Sequence, residues 1–119
     1  MADRVRMQNL GLSLIALGQG IPFFHAGSDM LRSKSMEADS YNAVDWFNKL
    51  EWSYESNNFA VGLPSAEKNQ DRWSIIRPIL AREDITPGRD EIMKTVHHFR
   101  EILQLATVGD VPEDADVVI

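Results

Sequence analysis

Gln19-Gly-Ile-Pro-Phe-Phe-His-Ala-Gly-Ser-Asp29 is the stretch on which the fold turns. Between glycine turns it holds a short apolar run, residues 21–25, which predicts a strand whose exit presents polar side chains. Strands of parallel barrels end in this way at an active-site rim. Covered on one face by the barrel interior and on the other by a helix, they read as continuous apolar runs instead of alternating ones. Pro22 stands near the start, where its missing N–H costs least. One strand cannot close a barrel, so the expectation is an α/β piece of a larger one, mostly helix and loop on its own.

Outward from that strand the pattern is helical on both sides. Asp3 is placed to cap a helix over residues 4–17, in which Met7, Leu10, Leu14 and Leu17 recur at the spacing of one buried stripe. Gly18 and Gly20 stop it. A second helix is expected over residues 88–105, with Ile92, Val96, Phe99 and Leu103 inward and Arg89, Lys94 and Glu101 outward. Between them, residues 28–83 have few apolar runs but carry all three Trp and both Tyr. A loop of this length is usually functional or disordered, and its aromatic density argues against disorder. A short helical turn is expected over residues 71–76, with Pro78 opposing continuation. The acidic tail, residues 107–119, is aperiodic and expected to be disordered.

Composition excludes several classes. Hydrophobic residues make up 44% and charged residues 25% of the 119, ordinary soluble values. No apolar run approaches the ~20 residues of a membrane span. A net charge of -6 opposes nucleic-acid or anionic-membrane partners, which need a basic surface. Without cysteine there is neither a disulfide framework nor a thiolate metal site. The first residues lack a secretory or transit pattern.

Asp39-Ser-Tyr-Asn-Ala-Val-Asp-Trp-Phe-Asn48 interleaves planar rings with short carboxylates and amides. Sugars require that mixture, because a pyranose has an apolar face that packs on an aromatic ring and a rim of hydroxyls. The same residues also suit a structural part in which Trp46 and Phe47 pack the loop and Asp45 caps a turn. Asp71, beside Arg72 and Trp73, suits a ligand role, a helix N-cap or both together. His25 lies at the strand exit, while His97 and His98 point about 100° apart on a helix and cannot share a metal. Asp39, Asn42 and Asp45 lack the alternation and central glycine of a calcium loop, so no metal is expected. No nucleophile, base and orienting group assemble, and no carboxylate pair stands out as catalytic.

On the residues Gln19-Gly-Ile-Pro-Phe-Phe-His-Ala-Gly27, Leu31-Arg-Ser-Lys-Ser35, Asp39-Ser-Tyr-Asn42, Asp45-Trp-Phe-Asn48, Tyr54-Glu-Ser-Asn-Asn58, Val61-Gly-Leu-Pro64 and Glu67-Lys-Asn69, the chain resembles the starch-debranching enzymes of the pullulanase and limit-dextrinase type. These lie within glycoside hydrolase family 13, and the likeness is greatest to plant and algal limit dextrinases. The resemblance implies a fragment of a (β/α)8 TIM barrel, with residues 1–106 supplying its last strand, the long loop over the cleft mouth and the flanking helices. It implies that the catalytic carboxylates lie on earlier strands, so no catalytic residue is expected here. Substrate-binding residues implied by the matched motifs are Asp39, Tyr41, Asp45, Trp46, Asn48 and Asp71. The implied partner is an α-glucan (limit dextrin, pullulan or branched maltodextrin), without an organic cofactor, and a plant or algal parent would be plastidic.

Three departures from the resemblance carry consequences. Asp29 replaces a usual glutamate, Val44 replaces a usual glycine and would be strained if its turn needs positive φ, and the sequence diverges after Leu105. The expectation is a truncated, inactive part of an α-1,6-glucan debranching glycosidase. The alternatives are a stand-alone glucan-binding or interaction module, or a non-functional remnant.

Overall fold

The computed structural model describes residues 1–108. Five α-helices appear among them: α1 (Ala2–Ala16), α2 (Asp45–Asn48), α3 (Ala66–Asn69), α4 (Trp73–Leu80) and α5 (Arg89–Val108). Single 3-10 turns occupy Ser28–Met30, Gln70–Arg72 and Glu83–Ile85. No helix among the described residues is long and apolar enough to cross a membrane. The expected acidic tail lies outside the described residues beyond Val108, to which α5 itself extends.

The long helices α1 and α5 pack together, with Leu12, Ala16 and Ile102 buried at their contact and Phe24 and Phe99 against them. Phe24 meets Phe99 edge to face, ring centroids 4.8 Å apart, a geometry worth about 0.5–1.5 kcal/mol beyond its area. A second cluster, Met30, Ile92 and Val96, seats the following loop on α5 with Leu31, Leu50 and Tyr54. Gln8 Nε2 donates to the Ser28 carbonyl at 2.8 Å and ties α1 to the same turn. The inward face of α5 is therefore Ile92, Val96, Phe99 and Ile102, while Leu103 lies at its edge.

Several expectations are corrected. The stripe Met7, Leu10, Leu14 and Leu17 is exposed, and α1 buries Val5, Leu12 and Ala16 instead. This helix has two apolar faces, and among the described residues the second is the one that packs against a neighbour. Asp3 does not cap it: the N-cap is Met1, without a side-chain bond, and Asp3 pairs with Arg6 one turn on. Residues 21–25 form no strand, since a strand exists only through a ladder and among the described residues no backbone pairs with them. Ile21 and Phe23 are 91% and 90% exposed, while Phe24 turns in against Phe99. Pro78 lies inside α4, where it cannot supply the usual i+4 N–H to the Ser74 carbonyl, and the helix ends at Leu80. Val44 has φ -62°, so its replacement of glycine brings no strain.

Ile92→Ala is expected to cost about 2–5 kcal/mol, as for other buried aliphatic truncations, whereas Leu14→Ala should leave stability unchanged within about 0.5 kcal/mol as an exposed substitution. Urea denaturation of the two variants checks this, and equal losses would mean that the α1 stripe is buried.

Candidate glucan-binding surface

The six residues singled out in sequence divide into those that hold the loop and those that it presents. Asn48 holds it. Its Nδ2 donates to the Ser40 carbonyl at 2.8 Å, and its own carbonyl accepts from Arg32 Nη2 at 2.7 Å. Asp39 also holds it, accepting the Lys68 ammonium on one oxygen and the Tyr41 N–H on the other at 3.3 Å. The Lys68 hydrogen bond, reinforced by that group's charge, outweighs desolvation and keeps the Asp39 carboxyl below the usual carboxylate range. The same bond raises Lys68.

Beside this pair, fully buried Asn69 clamps two segments together. Its Nδ2 donates to Glu37 Oε1 at 2.8 Å and to the Ser65 carbonyl at 3.0 Å, and its Oδ1 accepts the Ala38 N–H at 3.0 Å. Burial works against ionisation of Glu37, but the Asn69 bond and neighbouring N–H groups prevail and lower its pKa. Lys68 and Asn69 of the Glu-Lys-Asn motif are thus structural.

Tyr41, Asp45 and Trp46 are presented. Tyr41 is 92% exposed and Trp46 is 48% exposed. The Asp45 carboxylate, in the first turn of α2, is exposed and has no hydrogen-bond or ion-pair partner among the described residues. Trp46 is braced from behind by buried Phe47, ring centroids 4.9 Å apart, and its edge lies over Gly62, where a Cβ would stand 2.9 Å from Cη2. Asn58 Nδ2 fixes the backbone by donating to the Trp46 carbonyl at 2.9 Å and the Lys49 carbonyl at 2.7 Å. The result is a braced indole on an open surface, with an exposed carboxylate next to it in the chain and an exposed phenol earlier in the same loop.

Asp71 is exposed, also without a partner, and lies in the turn before α4. The N-cap of α4 is Arg72, with no side-chain cap bond, so the capping alternative for Asp71 fails. Trp73 anchors that turn by donating Nε1–H to the Pro64 carbonyl at 2.9 Å and carrying Arg77 over its ring.

None of the six lines the open cleft of about 950 Å³ between α1 and the following loop. His25 does, where Arg32 Nη1 lies 3.1 Å from its Nε2. Sequence reading passed over this cleft, whose charged lining is Arg4, Arg32 and Lys34 with no carboxylate. Trp52, 63% exposed, was passed over too. Its only signal was a lone ring in a polar turn. No group of metal-ligating side chains forms among the described residues.

Two outcomes follow from this geometry. The pair's stabilisation is complete at neutral pH. On the Asp39 side it begins to be lost as pH falls below about 4, the unfolded carboxylate value, and is gone below the depressed folded pKa. On the Lys68 side it is lost as pH rises above about 10.4 and through the raised folded value. Lys68→Met should raise the Asp39 midpoint toward the ordinary range in a carboxyl NMR titration; an unmoved midpoint would sever the pair. Separately, Gly62→Ala should displace the indole and shift the tryptophan near-ultraviolet circular dichroism, with Trp46→Phe removing that response.

Comparison with known proteins sets this surface in context. The family described as alpha-1,6-glucosidases, pullulanase-type, C-terminal, is matched over residues 54–111. The chain is 50% identical over 103 residues to Pullulanase 1, chloroplastic, of Arabidopsis thaliana, covering 87% of this chain and 11% of that protein. It is 39% identical over 117 residues to the pullulanase of Klebsiella pneumoniae, covering 92% of this chain and 11% of that one. The crystal structure of Klebsiella pneumoniae pullulanase complexed with maltotriose superposes with a TM-score of 0.80 at 37% identity, covering 91% of this chain and 10% of that structure. The chain thus spans about a tenth of the relatives that it matches. In sequence and in fold the chain is similar to a small part of the pullulanases, and over residues 54–111 it matches the C-terminal family of the pullulanase-type α-1,6-glucosidases.

Proposed function

We propose that this chain contributes one wall of an α-glucan cleft to a debranching α-1,6-glucosidase, as the C-terminal part of its (β/α)8 catalytic barrel, in the manner of plant and algal limit dextrinases. The observation that carries this reading is the braced, half-exposed Trp46 indole in a loop that also exposes the unpaired Asp45 carboxylate and the Tyr41 phenol. A ring held from behind stacks on a pyranose face without first losing its own freedom, and neighbouring polar groups take up the hydroxyls. Asp71 supplies a further exposed acceptor. The likeness to a pullulanase solved with maltotriose supports an α-glucan as the ligand.

The wall binds and orients; it does not cleave. Retaining hydrolysis of a glycosidic bond takes two carboxyl groups held across it about 5–5.5 Å apart. Among the candidates, Asp39 is committed to Lys68, and Asp45 and Asp71 stand exposed in separate turns of the chain. The chain alone is therefore expected not to hydrolyse pullulan.

The test is maltotriose titration of the full chain, followed by tryptophan fluorescence and amide NMR. Binding should be weak, with Kd on the order of millimolar for a ligand touched on one side only. Trp46→Ala should abolish it and Trp46→Tyr largely keep it. Perturbations confined to residues outside 39–48 and 71, or binding unaffected by Trp46→Ala, would put the site elsewhere.

A further inference from the structure

One face of the molecule is unfinished. Met7, Leu10, Leu14 and Leu17 lie exposed along α1, opposite the side that packs on α5. Next along the chain, residues 21–25 run without helix or turn, with Ile21 and Phe23 exposed and Phe24 against Phe99, and pair with no backbone among the described residues. Met7 also lines the open cleft, whose charged side chains are Arg4, Arg32 and Lys34 without a carboxylate, in a chain of net charge -6. Apolar side chains, an unladdered strand-like segment and a locally basic cleft therefore run together.

We infer that this face is a docking surface for a polypeptide carrying the preceding part of a pullulanase-like barrel, which adds strands beside residues 21–25, covers the α1 stripe and presents acidic side chains to the cleft. The inference rests on the barrel reading proposed above and names the partner of that fold. Two observations favour this occupant over a second copy of the chain. The matched relatives are about ten times longer than the segment matched, so the fold recurs where much more polypeptide adjoins it. A second copy would instead set basic cleft against basic cleft if it docked face to face, whereas an acidic partner surface complements it. Strand addition to an open edge supplies backbone bonds, and the alternate side chains Ile21 and Phe23 supply the register.

The test co-expresses the full chain with the portion of Arabidopsis thaliana Pullulanase 1 that precedes its matched segment, each separately tagged. A one-to-one complex is expected. Leu14→Asp and Arg4→Glu should each lower recovery of the complex by about tenfold or more, since each places an unpaired or repelled charge at the interface. Both residues are exposed in the isolated chain, so its circular dichroism and melting should not change. No complex, while the Arabidopsis segment itself assembles in the same experiment, overturns the inference. So does a complex indifferent to both substitutions, or a dimer of this chain that Leu14→Asp dissociates. If neither segment assembles in trans, the chain is spliced into Pullulanase 1 in place of its counterpart. Leu14→Asp must then destabilise the chimera and not the isolated chain, and equal effects, or an insoluble chimera, overturn the inference. Docking with pullulan hydrolysis untouched by Asp45→Ala and Trp46→Ala upholds it and sinks the cleft-wall reading.

Discussion

Hydrogen bonds from side chains to backbone carbonyls are what the middle of this molecule depends on. Residues 31–64 lie between packed elements without a ladder and with a single turn of helix, yet buried carbonyls still require donors. Arg32 serves the carbonyls of Ala26 and Asn48, Asn57 that of Leu31, and Asn58 those of Trp46 and Lys49. Each well-made bond contributes about 1 kcal/mol net, but leaving its acceptor buried and unserved would cost more. The same stretch carries Leu31, Ser35, Met36, Tyr54 and Ala60 at positive φ, a backbone region that costs non-glycine residues about 1–2 kcal/mol each. Strain of this kind is a common property of binding loops.

That dependence explains both what could be read from the sequence and what could not. The two long helices were legible because an apolar repeat at helical spacing is a local signal, and the presented residues Tyr41, Asp45 and Trp46 because rings among short polar groups form a compositional one. Which face of α1 is buried was not legible. The Met7 and Leu14 stripe is more apolar than the Val5, Leu12 and Ala16 face, and the choice is made by where α5 sits. The asparagines were equally opaque. Asn48 reads as a sugar-binding amide, Asn58 as an ordinary loop residue and Asn69 as motif, yet all three are clamps, a role fixed by carbonyls distant in sequence. The same holds for Asp39, whose Lys68 partner is 29 residues away. The missing strand has another cause: the apolar signal of residues 21–25 is real, but half of what makes a strand belongs to its neighbours.

The aspartates show how position divides one chemistry into different uses. Asp39 is ionised, oriented and spoken for on both oxygens, so it stiffens the loop and has little capacity left for a hydroxyl. Asp45 and Asp71 keep their acceptors in solvent, and a ligand that orders them must offset their lost rotamer freedom. Trp46 has no such cost because Phe47, Gly62 and Asn58 already fix it. Affinity on this surface should therefore come first from the ring and orientation from the carboxylates.

A wall of this kind touches a sugar from one side only. Ligand sites bury most of the ligand's surface between converging groups, and here the indole, the phenol and the free carboxylates face open solvent. The α1 stripe and residues 21–25 are bare for a related reason: each presents apolar or backbone groups suited to burial where no second layer is present. An open ligand surface and an uncovered apolar face would both be closed by one additional layer of polypeptide. If that layer pairs with residues 21–25 and covers α1, it sets the distance between Trp46 and whatever stands opposite, and the strand that completes the fold also fixes the width of the cleft.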